Sequence, residues 1–329
     1  MAHHPRYQRS LEELFLHVYV YIDDWLKPFQ AQLPKHSKQK ASISELLTIA
    51  VVGELLSQPF ESTWYWLVQQ SFQHLFPNLP EYSRYHRVLK NAEPLLAALA
   101  LSVVTEQSQL HLIDSKPLPI AKGKRANWAK LLGAAKGFST MGMVYGFKLH
   151  ALTNEQGLFE KWAFAPANQS HVALAHELLE GLEQHVVLGD KAYIGSAACT
   201  PKRKNMPQAG DWQSWMSRAR KRIESSFSSL VRSLTLHAAQ VKTFASLKTR
   251  VNLKIAASTY CTQVCSLDSK RRNWVTFGTP SVPFLASFTR DRSSSFRYLE
   301  KAEKAEKALA LSPVCLSHSC TVPPFGHWF

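Results

Sequence analysis

Acid is what this chain has least of. Its 24 aspartates and glutamates face 39 lysines and arginines, a formal net charge of +15 with pI near 9.6, and residues 115–154 contain no acidic residue at all. Such an imbalance favours a polyanionic partner, with nucleic acid first; a merely basic soluble protein is the alternative. Cysteine is also sparse. Cys199, Cys261, Cys265, Cys315 and Cys320 are odd in number, scattered, and form no Cys-x-x-Cys pair. This argues against a secreted disulfide framework and a cysteine-rich zinc site. Long apolar runs are missing too. The run from Leu14 to Ile22 contains His17 and is too short to span a bilayer, and no signal-peptide core directly follows Met1–Ser10. Together these features lead to the expectation of a cytoplasmic protein.

The acids that are present fall at telling places. Val186-Val-Leu188 is a short apolar run ended by Gly189, Asp190 and Lys191. Leu110-His-Leu-Ile113 is another, ended by Asp114, Ser115 and Lys116. Both read as buried strands with a carboxylate at the C-terminal end, where open α/β sheets carry their chemistry. Glu224 lies in a helical segment whose apolar stripe is Ile223, Phe227, Leu230 and Leu234, with Arg220 and Ser228 on its own face. Two strand-end aspartates and one helical glutamate suit a hard divalent cation such as Mg²⁺, which takes oxygen ligands. Two such ions, about 3.5–4 Å apart, activate an attacking oxygen and stabilise a leaving one on a phosphate. Asp211, Glu155 and Glu160 compete less well, from a loop and a hairpin. The histidines at 111, 150, 171, 176 and 185 lack metal-ligand spacing and read as core or surface residues.

In chain order the first 105 residues read as helical. Ser10-Leu-Glu-Glu13 and Ser42-Ile-Ser-Glu45 look like capping boxes, the first helix should stop before Pro28, and residues 29–40 read as a linker. A third helix spans the Trp64–Leu75 region, and Leu95–Val104 is an apolar fourth. Before that one, residues 81–90 are short, basic and aromatic, with Arg84 and Arg87. The segment suits either the groove-entering helix of a helix-turn-helix or an ordinary surface helix. The acid-free stretch carries Lys116, Lys122, Lys124, Arg125, Lys130, Lys136 and Lys148 among Trp128, Phe138 and Tyr145, a composition able to track phosphates and stack on bases. A basic loop without that role is the other reading. Residues 145–152 and 158–165 read as a hairpin, Ser170–Leu182 as a helix, and 244–261 as a last helix. The loop after Asp190 brings Lys202, Arg203, Lys204 and Arg218. A strand or helix also has room in 115–144.

Strand with an acid, strand, strand, helix, strand with an acid, helix with an acid: this is close to the order of a ribonuclease H-like fold. The expected fold is therefore α/β, a mixed sheet flanked by helices, preceded by an all-α domain. The divisions are 1–105, 106–265, and a tail of unassigned role at 266–329.

The blocks Ile113-Asp-Ser-Lys-Pro-Leu-Pro119, Tyr145-Gly-Phe-Lys-Leu-His150, Gly189-Asp-Lys-Ala-Tyr-Ile-Gly195, Arg203-Lys-Asn-Met206 and Arg222-Ile-Glu-Ser-Ser-Phe227 carry a resemblance. In that order they resemble a DDE transposase of a bacterial insertion sequence, closest to the insertion sequence 982 family. The resemblance implies a ribonuclease H-like core using Mg²⁺ or Mn²⁺ on the terminal inverted repeats of its own element, with Asp114, Asp190 and Glu224 as the metal-binding triad. It further implies DNA contacts by Lys191 and Tyr193 and by Arg220 or Lys221. Double-stranded DNA, as repeat and as target, is the expected partner. A homodimer is expected because paired ends need paired sites, and nucleoid association follows from DNA binding. A ribonuclease H-like nuclease without strand transfer, or a catalytically inactive transposase copy that only binds DNA, are the alternatives.

Overall fold

A computed structural model of the chain describes residues 5–32, 40–104, 108–139, 142–203, 212–238 and 241–270. The expectations for the tail beyond 270 lie outside the described residues. Residues 5–27 and 40–270 fall in one compact unit. Residues 28–32, within a 3-10 turn over Lys27–Gln32, fall outside that unit.

Five helices come first: α1 (Pro5–Leu26), α2 (Ile43–Leu55), α3 (Glu61–Ser71), α4 (Tyr82–Asn91) and α5 (Glu93–Leu101). The capping box at Ser42 forms in full. Its hydroxyl accepts from the Glu45 N–H at 3.1 Å, and the Glu45 carboxylate accepts from the Ser42 N–H at 2.5 Å. At Ser10 the expectation fails, because α1 starts at Pro5 and Ser10 lies inside the helix. Helix α2 is buried nearly all round, as a helix whose polar residues are so few must be. It packs against α1, α3, α4 and the long last helix, α8 (Phe244–Lys270).

The sheet begins at β1 (Leu110–Lys122), followed by β2 (Ala135–Ser139), β3 (Gly142–Asn154), β4 (Phe159–Pro166) and β5 (Val186–Leu188). Antiparallel β3 lies on one side of β1 and parallel β5 on the other. Strands β2 and β4 follow one another along the far edge of β3, β2 against its first residues and β4 against its last. Strand β2 thus fills part of the room that the sequence left in 115–144. Beyond β5, Cys199 bridges Leu188, with its N–H donating to the Val187 carbonyl at 2.7 Å.

Helix α6 (His171–Leu179) covers one face, where Ile113, Leu152, Ala175, Leu178, Val187 and Tyr193 form a core. Helix α7 (Ser214–Arg232) packs on β1 from the other, burying the expected stripe of Ile223, Phe227 and Leu230, with the Phe227 ring 5.8 Å from that of Phe159 on β4. The result is a mixed sheet between helices.

The helices and the sheet share a polar seam. Trp162 on β4 donates to Asn252 on α8 at 2.8 Å, and Asn252 donates to Glu93 on α5 at 2.7 Å. Deeper in, the buried Lys254 ammonium donates to the buried Glu54 carboxylate of α2 and, at 2.6 Å, to the Leu234 carbonyl just past α7. Arg250 adds a 3.2 Å contact to Glu54. Removing one member of such a pair strands a buried charge, whereas replacing both with apolar groups does not. Glu54→Ala is therefore expected to cost about 3–5 kcal/mol in urea denaturation, and Glu54→Leu combined with Lys254→Met clearly less than the single change.

Candidate active site

The parallel pairing of β5 with β1 runs Leu110–Val186, His111–Val187, Leu112–Leu188. Two residues further along each chain lie Asp114 and Asp190. Paired residues share a face and the side-chain period is two, so Asp114, within β1, falls on the face of Leu112 and Leu188, the face that α7 covers, and Asp190 acts on it electrostatically from just past the end of β5. Contrary to expectation, Asp114 does not end its strand, because β1 runs on to Lys122 against β3; what ends near it is the pairing with β5. Asp190 starts a 3-10 turn over Lys191–Tyr193, its carboxylate accepting from the Ala192 N–H at 2.9 Å.

Asp190 and Glu224 both act electrostatically on Asp114. Burial pushes the Asp114 carboxyl up to about 6; its hydrogen bond from the Ser115 N–H and the Arg220 guanidinium oppose that rise, while Asp190 and Glu224 add to it. Arg220 is half-buried one turn before Glu224, 3.7 Å from its carboxylate, and is the counter-charge paired with it among the described residues. Glu224 itself is 55% exposed. Among the described residues no three acids or histidines stand close enough to hold a metal ion as a ready cluster. The donor set nevertheless fits a hard divalent cation in kind: all-oxygen ligands, with Asp190 and Glu224 raising the proton affinity of Asp114 and the Arg220 guanidinium opposing them. Asp114 and Asp190 would hold it, and Glu224, free to turn on the helix surface, would join them.

The basic residues divide. Lys116 is half-buried on the same face as Asp114; Lys191 is exposed directly after Asp190; Lys221 is exposed beside Arg220. These flank the acids in sequence and on their elements. Lys124 and Arg125 are exposed in the loop after β1, Arg203 after the Cys199 bridge, and Arg84 (half-buried) and Arg87 (exposed) on α4. The side chain of Lys122 and all of Lys204 lie outside the described residues. Residues 72–81 separate α3 from α4, longer than the three- or four-residue turn of a tight helix-turn-helix, and α4 buries Tyr85 and Leu89 against its neighbours.

Two expected DNA contacts are corrected. Tyr193 is fully buried, and Lys148 is buried with its ammonium donating to the Gln169 carbonyl at 3.2 Å. Neither faces solvent. Both belong instead to a polar chain behind the acids, on the α6 side of the sheet. The Lys148 ammonium can only donate, so His171 Nε2, 3.2 Å away, accepts; the His171 proton then sits on Nδ1, facing the Ser115 hydroxyl at 3.3 Å. Ser115 in turn is a partner of the Tyr193 phenol, which burial and the two aspartates hold firmly protonated. Tyr193 lies 3.0 Å from His150 Nδ1. Thus β3, α6, β1 and the turn after Asp190 are tied together directly behind the acidic pair. The alternation in Tyr145–His150 put Lys148 and His150 on one face of β3, which was a usable signal; that His171 and Tyr193 would meet them was not readable.

Burial, then the neighbouring His171 and Lys148, lowers the His150 pKa to about 3, and its Nε2 has no hydrogen-bond partner among the described residues. A base whose folded pKa lies below its unfolded value of 6.5 contributes stability that is complete above pH 6.5 and is lost as pH falls toward 3. From pH 7 to pH 5 this one group should cost about 2 kcal/mol. Denaturation of the native chain and His150→Gln at both pH values checks it, the variant being expected to lack that part of the acid slope.

No curated protein and no solved structure matches the chain. No helix among the described residues is long and apolar enough to cross a membrane. The span from just before β1 to the turn after α7, which contains Asp114, Asp190 and Glu224, does have a counterpart: residues 104–237 match the family model of the transposase DDE domain, a match that supports a DDE transposase.

Proposed function

We propose that the chain is the transposase of an insertion sequence, of the kind found in the insertion sequence 982 family, with a ribonuclease H-like core that cuts and joins DNA at the element's terminal inverted repeats. The observation that supports this reading is the register of β5 on β1, whose last pair, Leu112–Leu188, lies two residues before Asp114 and Asp190, within a segment that matches a transposase DDE domain. The strand order β4-β3-β1-β5, with β5 alone parallel to β1, supports the fold assignment.

In this reading Asp114, Asp190 and Glu224 hold divalent cations, Mg²⁺ or Mn²⁺, two at a time. When bound, the metal supplies activation of the attacking oxygen and charge stabilisation at the leaving one. The chain's own residues do the rest. Lys116, Lys191 and Lys221 hold the DNA backbone on either side of the acids. Arg220 offsets the charge of Glu224. The chain from Lys148 to His150 fixes the backbone that presents both aspartates. Two subunits, each bringing one active site, would serve the two ends of the element.

The test is metal-dependent nicking of a duplex bearing the element's own ends. The native chain is expected to nick at the repeat boundary with Mg²⁺. Asp114→Asn, Asp190→Ala and Glu224→Gln should each reduce the rate on the order of a hundredfold or more while leaving duplex binding intact. Binding without nicking by the native chain would instead mark an inactive copy. Nicking without strand transfer to a second duplex would mark a nuclease.

A further inference from the structure

The loop after β1 and the β2–β3 hairpin leave four large apolar side chains uncovered. Trp128 is 81% exposed, Leu132 93%, Phe138 76% and Met143 53%. Their exposure follows from how the segment is anchored. In the loop, Leu131 turns inward and is buried; the Tyr145 hydroxyl of β3 accepts from its N–H at 3.0 Å and donates to its carbonyl at 3.2 Å. Leu132, the next residue, must then point away. The Lys136 ammonium of β2 donates to Asn127 at 2.7 Å, fastening the residue beside Trp128 to the hairpin. Lys136 pairs with Tyr145 and Phe138 with Met143, so these four paired residues share one face of the hairpin. The opposite face cannot take these side chains: a Cβ at Gly137 would come within 2.1 Å of the Ala167 carbonyl oxygen. The aromatic face is outward by construction.

An uncovered apolar surface in a folded chain marks an interaction site. Its partner is identified by charge and by shape. Lys124, Arg125 and Lys130 are exposed in the same loop as Trp128 and Leu132, and no acidic residue occurs from 115 to 154, so the partner is a polyanion. Flat exposed rings among cations suit the faces of nucleobases. Inside a duplex those faces are already covered by neighbouring base pairs; only unpaired nucleotides present them. We infer that this surface binds unpaired DNA, with Trp128 and Phe138 stacking on bases and the surrounding Lys124, Arg125 and Lys130 on phosphates. The inference rests on the transposase reading, in which strand cleavage at an element end frees a strand terminus to unpair, and β1 leads directly from Asp114 to this loop.

The full-length chain would be titrated, by fluorescence anisotropy, against one labelled duplex with blunt ends and against the same duplex with a single-stranded 3′ overhang of about six nucleotides. The native chain should prefer the overhang. Trp128→Ala and Phe138→Ala should each lose on the order of tenfold on the overhang substrate and stay within about twofold on the blunt one, and Trp128→Phe should keep most of the preference. Blunt binding with no preference for the overhang, or variants that weaken both substrates alike, would overturn this inference while leaving the transposase reading standing. A change of oligomeric state in the variants by sedimentation velocity would overturn it in favour of a second copy as the partner. Failure of the native chain to bind either duplex would overturn both readings.

Discussion

Three backbone pairs between β5 and the start of β1 decide where the acids of this protein lie. Parallel strands cannot be joined by a tight turn, so the chain must leave through β2, β3, β4 and α6 before it returns to pair with β1. The return is secured from both sides. The Val186 N–H donates to the Gln109 carbonyl at 2.9 Å, and the Cys199 strand fragment donates to Val187 and accepts from Gly189. Gly189 suits this place: a Cβ there would lie 3.1 Å from Ile113 and 3.2 Å from Tyr193, close enough that both neighbours would have to move. A slip of one residue would turn Asp190 to the opposite face and separate the pair.

Bringing like charges together is unfavourable, and the surroundings show how that is contained. Asp114 holds its proton more tightly than a free carboxyl, chiefly through burial. Arg220 supplies a positive charge 3.7 Å from the Glu224 carboxylate. Behind the sheet, the chain from Lys148 through His171, Ser115 and Tyr193 to His150 fixes the backbone with hydrogen bonds that a looser core would not maintain. Further out, the Lys254–Glu54 pair and the Trp162–Asn252–Glu93 bridge bind the helices to the sheet, so that the helical layer contributes to the rigidity of the acidic face. An arrangement that concentrates negative charge at the cost of stability is characteristic of sites that bind a cation or its substrate.

Much of this was legible in the sequence because it depends on short-range pattern. The Ser42–Glu45 box, the Ile223–Phe227–Leu230 stripe and the hairpin strands of β3 and β4 are local, and each appears where periodicity put it. What escaped depends on contacts between distant segments. Ser10 looked like a cap because a Ser-x-x-Glu pattern carries no record of helix already present before it. Lys148 and Tyr193 looked like DNA contacts because burial is a property of the sheet and α6 together, not of a basic or aromatic residue. Strand β2 was hidden because Ala135–Ser139 is short and nearly featureless, and its pairing with β3 is what makes it a strand. Exposure of Leu132 beside buried Leu131 was equally unreadable, since only the Tyr145 hydroxyl distinguishes them.

The central claim is that Asp114 and Asp190 form a divalent-cation site. Mn²⁺ binding followed by electron paramagnetic resonance tests it without depending on DNA or turnover. The account predicts saturable binding by the native chain, weakened on the order of tenfold or more by Asp114→Asn and by Asp190→Asn. Binding that is unchanged in both variants, or absent from the native chain, would contradict it.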